Sequence, residues 1–140
     1  MRFSPPQLEK IFLRSSGYCH ICHKKLQLNQ YGQFGKRGAW EVEHSNPQAK
    51  GGTHRLNNLY PACIACNRAK GTKSSRTVRA QHGKKRAPLS VHKRRKVKSV
   101  NALKGVLLGG VTGVFISVEA AMILATLGVI VGYWRNPDQD

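Results

Sequence analysis

Leu8, Ile11 and Phe12 share one face at helical spacing. Ser4 ahead of them suits a helix N-cap, Pro5 and Pro6 suit the first turn, and Gly17 is placed to end the run. Trp40-Glu41-Val42-Glu43-His44 instead alternates, which predicts a strand with Glu41 and Glu43 on the face opposite His44. Asn46-Pro47 and Gly51-Gly52 break the chain into a loop over 45–54. Asn58-Leu59-Tyr60 predicts a second short strand, and Cys63 to Lys70 a helix. The fold class is therefore α+β, in a unit over 1–71 too small to bury a large core unaided.

Beyond that unit the pattern changes twice. Of the 24 Lys and Arg residues, 13 lie between Arg68 and Lys98, a stretch without acids that predicts a basic, flexible linker over 72–101. Lys84-Lys85-Arg86 and Lys93-Arg94-Arg95-Lys96 suit phosphate neutralisation blind to sequence, with a solvated linker or an anionic lipid surface as the other uses of such a tract. From Gly105 to Trp134 only Glu119 is charged, within a hydrophobic helix expected over 102–134 and a tail over 135–140. A run of that length exceeds the roughly 20 residues needed to span a bilayer, and Tyr133-Trp134 sit where an interfacial belt would be. A membrane anchor is the first expectation, with the basic part on the cytoplasmic side of the inner or plasma membrane. A helical hairpin broken near 117–120 and a soluble helix of a cytoplasmic protein are the alternatives. Gly105, Gly109 and Gly113 open a small-residue row, and Glu119 belongs to a separate polar stripe; together they suggest helix association and a homo-oligomer.

With 140 residues and a net charge of +18, the chain is too short for a multidomain enzyme and points to a polyanionic partner. Cys19-x-x-Cys22 and Cys63-x-x-Cys66 put two sulfurs on each of two tight turns, the bite a tetrahedral ion accepts at about 2.3 Å per Zn–S bond. Structural Zn²⁺ is expected, with His20 and His23 as bystanders because four thiolates close the shell. No charged stretch followed by an apolar core opens the chain, so neither a signal peptide nor a secreted disulfide scaffold is expected.

Between and just after these pairs come Glu43-His44-Ser45-Asn46-Pro47, Gly51-Gly52, Asn58-Leu59 and Cys66-Asn67-x-x-Lys70-Gly71. In that order and spacing the chain from about 17 to 71 resembles the zinc-knuckle branch of the HNH endonucleases, which have a ββα-metal fold. Phosphodiester hydrolysis needs a water deprotonated near neutral pH, for which an imidazole such as His44 serves, and a cation held nearby by a carboxylate such as Glu43. The resemblance implies that Glu43 and Asn67 bind a catalytic Mg²⁺ or Mn²⁺, and that His44 is the general base. It also implies that Asn58 fixes the loop carrying His44, that Lys70 lies near the DNA backbone, and that the products are a 3′-hydroxyl and a 5′-phosphate. Glu43 replaces the commoner Asp of the family, and Asn67 the His of members that favour softer ions. His54 and Asn57 carry no role in this reading. Two other functions share these residues: a non-catalytic zinc module that binds nucleic acid, and a membrane-active protein whose Gly-rich tail perturbs bilayers.

Overall fold

The computed structural model describes residues 3–112, 118–135 and 137–138, with side chains at 105–112, 118–121 and 124 outside the description. The chain divides into two compact units, 1–91 and 92–140.

In the first unit, helix α1 (Pro5–Leu13) begins as its sequence predicts. Gln7 Oε1 accepts the Ser4 backbone N–H at 2.9 Å, closing a capping box, and Pro5 occupies a first-turn position that needs no donor. The helix buries Ile11 and leans Phe12 on Trp40, their ring centroids 5.3 Å apart. Gly17 then turns the chain at φ 72°, where a Cβ would meet the Phe12 ring, so glycine is required both by conformation and by space.

Strand β1 (Trp40–His44) pairs antiparallel with β2 (Leu59–Cys63), in a register that places Trp40 opposite Cys63 and His44 opposite Leu59. The second strand extends three residues past the expected Tyr60. Pro61 is tolerated because a two-stranded sheet has only edge strands, and its carbonyl accepts the His20 amide at 3.0 Å. Helix α2 (Ile64–Lys70) follows directly. The core gathers Ile11, Cys19, Ile21, Leu26, Trp40, Leu59, Ala62, Cys66 and Val78, so two of the four cysteines are core residues as well as candidate metal ligands.

Val78 belongs to a helix that the sequence reading does not contain. The expected flexible linker over 72–101 holds helix α3 (Ser75–Gln81) and the first half of α4 (Val91–Thr112). Ser74 caps α3 by accepting the Thr77 amide at 3.2 Å, and Ser75 and Val78 are buried. Counting charges conceals these two residues, because Arg76 between them is exposed while the small Ser75 and the apolar Val78 are buried.

The second unit corrects the expected single helix over 102–134. The apolar run is divided between α4 and α5 (Val118–Trp134). These pack antiparallel: Lys98 Nζ lies 4.7 Å from the centroid of Tyr133, Arg94 pairs with Asp138, and a Cβ on Gly132 would collide with the Asn101 carbonyl. Among the described residues no helix is long and apolar enough to cross a membrane. The physical reason is that α4 is basic through its first half, while α5 as described has 17 residues, fewer than the roughly 20 of a typical span. Of the residues expected to mediate helix association, Gly113 lies outside the described residues, as do the side chain of Glu119 and the surroundings of Gly105 and Gly109.

Candidate metal centre and catalytic site

The two CxxC turns meet across the sheet end. Sγ atoms of Cys19, Cys22, Cys63 and Cys66 all lie within 4.8 Å of one another, and those of Cys22 and Cys63 are 3.8 Å apart. Two corners of a tetrahedron with Zn–S bonds near 2.3 Å stand about 3.8 Å apart, so the donor set fits a structural Zn²⁺. The protons of four crowded thiols compete. Hydrogen bonds from Cys22, Cys63 and Cys66 drive the Cys19 thiol far down, while their bonding to Cys19 and their burial push Cys63 and Cys66 up. A dication resolves that competition by replacing the protons. His82 Nε2 stands 3.6 Å from the Cys66 sulfur, a hydrogen-bond partner from just beyond α3.

Glu43 departs from its expected role as a ligand of the catalytic cation. It is 1% exposed, and both its oxygens are engaged. Oε2 accepts from His20 Nε2 at 2.6 Å, and Oε1 accepts from Ser75 Oγ at 2.8 Å and from the Lys70 ammonium at 2.9 Å. Burial would raise the Glu43 carboxyl, but the hydrogen bonds and charges of His20 and Lys70 outweigh it and hold the group below its ordinary value. An ion would have to enter a buried carboxylate whose two oxygens already accept from His20, Ser75 and Lys70, so Glu43 as placed here does not present itself as a ligand. Asn67 is elsewhere on α2, where its Nδ2 donates to Glu41 Oε2 at 2.9 Å. The carboxylate that the structure sets beside Asn67 is thus Glu41, with Arg68 3.6 Å from its other oxygen.

Lys70 is likewise corrected. It is 4% exposed, and besides Glu43 its Nζ donates to the His44 carbonyl at 3.0 Å, so it stabilises the protein rather than facing DNA. Arg94 pairs with Asp138, leaving Lys84, Lys85, Arg86, Lys93, Arg95 and Lys96 as the partly or fully exposed members of the basic tract.

His44 lies on the opposite face of β1, at the end of the strand. Its Nε2 is 3.0 Å from His54 Nδ1, the rings meeting edge to face, and His54 Nε2 is 2.7 Å from the Gln48 amide nitrogen. Among the described residues Nδ1 of His44 has no hydrogen-bond partner. Burial, then the charges of His54 and Lys70 against that of Glu43, lower its pKa from the ordinary imidazole value, so the neutral form prevails at pH 7. The loop after it is clamped by Asn58. The Asn58 Oδ1 accepts the Asn46 amide at 2.7 Å, and its Nδ2 donates to the carbonyls of Asn46 at 3.0 Å and Thr53 at 2.9 Å. Gly52 permits this turn, because a Cβ there would overlap the Asn46 carbonyl.

Several participants escape the sequence reading. His20 stacks on Tyr60 at 4.5 Å and receives Arg79 at Nδ1, 3.2 Å away, so its proton sits on Nε2 and is donated to Glu43. Nothing local to positions 20, 75 or 79 announces this, since their partner lies on a distant strand. His54 carried one available signal: it follows Gly51-Gly52, where the chain reverses toward His44.

Residues 19–73 match the family model described as HNH endonuclease, and the matched stretch holds both cysteine pairs, Glu43-His44, Asn58 and Asn67. Neither the comparison with curated proteins nor that with solved structures gives a match.

Proposed function

On the premise that residues 19–73 form an HNH segment, we propose that the first unit hydrolyses DNA phosphodiester bonds with His44 as general base. The observation that carries this reading is a neutral imidazole with one open nitrogen, on a strand end braced from both sides. Lys70 holds its backbone carbonyl, Asn58 holds the following loop, and His54 holds Nε2. His44 Nε2–H donates to His54 Nδ1, and the His54 Nε2–H donates to the Gln48 amide, turned so that its oxygen accepts. His44 Nδ1 then takes a proton from water as the water oxygen bonds to phosphorus. The P–O3′ bond breaks, and solvent supplies the proton that the departing 3′-oxygen needs. The zinc is structural: the four cysteines would hold it, and it supplies a cross-link between distant parts of the chain. Exposed Lys84, Lys85, Arg86, Arg95 and Lys96 supply affinity for the polyanion independent of sequence.

Conversion of supercoiled plasmid to nicked or linear DNA tests this. His44→Ala should abolish it while zinc content and circular dichroism stay those of the parent; undiminished cutting would reject His44 as the base. One observation favours a second reading, a zinc-dependent module that binds nucleic acid without cutting it: Glu43 has no oxygen left for a cation. Plasmid retarded on a gel but never cut, with any of Mg²⁺, Mn²⁺, Ni²⁺ or Zn²⁺, would establish that reading.

A further inference from the structure

The loop between the first CxxC turn and β1 presents Phe34 to solvent, 73% exposed, whereas Phe12 and Tyr31 pack on the buried Trp40. The exposure is built rather than incidental. The loop is fixed at its base by the Gly32 amide on the Trp40 carbonyl at 2.9 Å, and Gly35 turns it at φ 81°, a conformation other residues adopt at a cost. The Arg68 guanidinium, from α2, lies 4.8 Å from the centroid of the Phe34 ring and covers one face of it. The ring therefore stands upright with its remaining surface open. Beside it runs a cleft of about 310 Å³ whose walls include Lys24, Lys25 and Lys36. Glu41, near Arg68, is the acid beside this group.

We propose that Phe34, Arg68 and the three lysines form a second nucleic-acid contact, which takes an unpaired base of a single strand. A base stacks on the open surface of Phe34, and the phosphates on either side of it meet Lys24, Lys25 and Lys36. Chemistry selects this occupant. A ring held by a guanidinium on one face offers the other as a flat, positioned surface for stacking, and lysines within the same cleft are complementary to anions spaced along a chain. Bases within a duplex are stacked on each other and present only their edges, so an upright ring finds a partner only where a base is free. The contact would direct the protein to frayed, gapped or single-stranded DNA. It extends the nuclease reading but is read out by binding alone, so either can fail without the other.

The test uses the full chain carrying His44→Ala, so that probes survive, and follows anisotropy of a labelled 12-nucleotide oligothymidine and of a blunt 12-base-pair duplex. Phe34→Ala should weaken oligothymidine binding about 5- to 100-fold, the range for losing one base–aromatic stack, and change duplex binding less than about twofold. Phe34→Trp should restore it. Replacing Lys24, Lys25 and Lys36 by Ala should reduce the slope of log affinity against log salt by about 2 for the oligonucleotide. Unchanged oligothymidine affinity in Phe34→Ala, or an equal loss on the duplex, overturns the proposal. So does a loss confined to vesicles of anionic phospholipid, which would assign the patch to a membrane surface. Because the ring is exposed, the variant should fold, and a zinc content equal to the parent's checks that it has.

Discussion

His44 and Glu43 are neighbours in sequence and opposites in environment, and the alternation of a strand is the whole reason. One side chain points toward His54 and the open side of the sheet, the other into a buried cluster with His20, Lys70 and Ser75. Glu43→Gln should cost about 3–5 kcal/mol in urea unfolding, because it leaves the Lys70 ammonium buried without its counter-charge. Glu43 is held below its ordinary value near 4.3, so its contribution is complete above that pH and is lost as pH falls through the lowered value. His44 is also lowered, which for a base extends function toward acid: the acid limb of the cleavage-rate profile should lie below the ordinary imidazole value of about 6.5. His44→Ala should cost roughly 10² to 10⁴ in rate, and His54→Ala about tenfold, with Gln at position 54 recovering part of it. That Glu43 precedes His44 was legible in the sequence; that its oxygens are occupied was not, since the donors come from positions 20, 70 and 75.

Among the elements, the hairpin and α2 were legible because alternation, Gly-Gly and CxxC are local signals. Helix α3 was hidden inside a charge run. It packs Val78 into the core, anchors Ser75 on Glu43, and places Arg79 on the His20 carbonyl at 2.9 Å. A chain ended at Gly71 should therefore bind zinc yet unfold at lower urea than one ended at Val91, although both contain every cysteine and all but two residues at most of the family-matched stretch. Equal midpoints would show that α3 contributes nothing. In the same way Gly52→Ala should destabilise by about 1–3 kcal/mol through its overlap with the Asn46 carbonyl, and should reduce cleavage more than it reduces zinc content.

At the scale of the whole molecule, the first unit hangs on a core of nine buried residues, two of them cysteines, which is little for a chain segment of this length. Removing zinc with a chelator should release Trp40 to solvent and shift its emission to the red, while the helical signal of α4 and α5 persists, because the two units are compact separately. The apolar character of the C-terminal unit was legible and a hairpin was among the readings it allowed, but the choice of two helices over one was not. No proline marks the change, and glycines occur throughout the run. Met122, Ile123, Leu127, Ile130 and Val131 remain exposed on α5, so a chain ended at Val91 should stay dispersed at concentrations where the full chain associates.

His20 lies between Cys19 and Cys22, two sulfurs of the candidate zinc site, and grips the same carboxylate that, through Lys70, steadies the backbone of His44. Peroxide that converts a single one of those sulfurs to a sulfenate should thus loosen the grip and lower any plasmid cleavage that depends on His44, without touching an imidazole. A thiol reductant followed by fresh zinc should restore it, so the redox state of four sulfurs would reach a strand end that none of them touches.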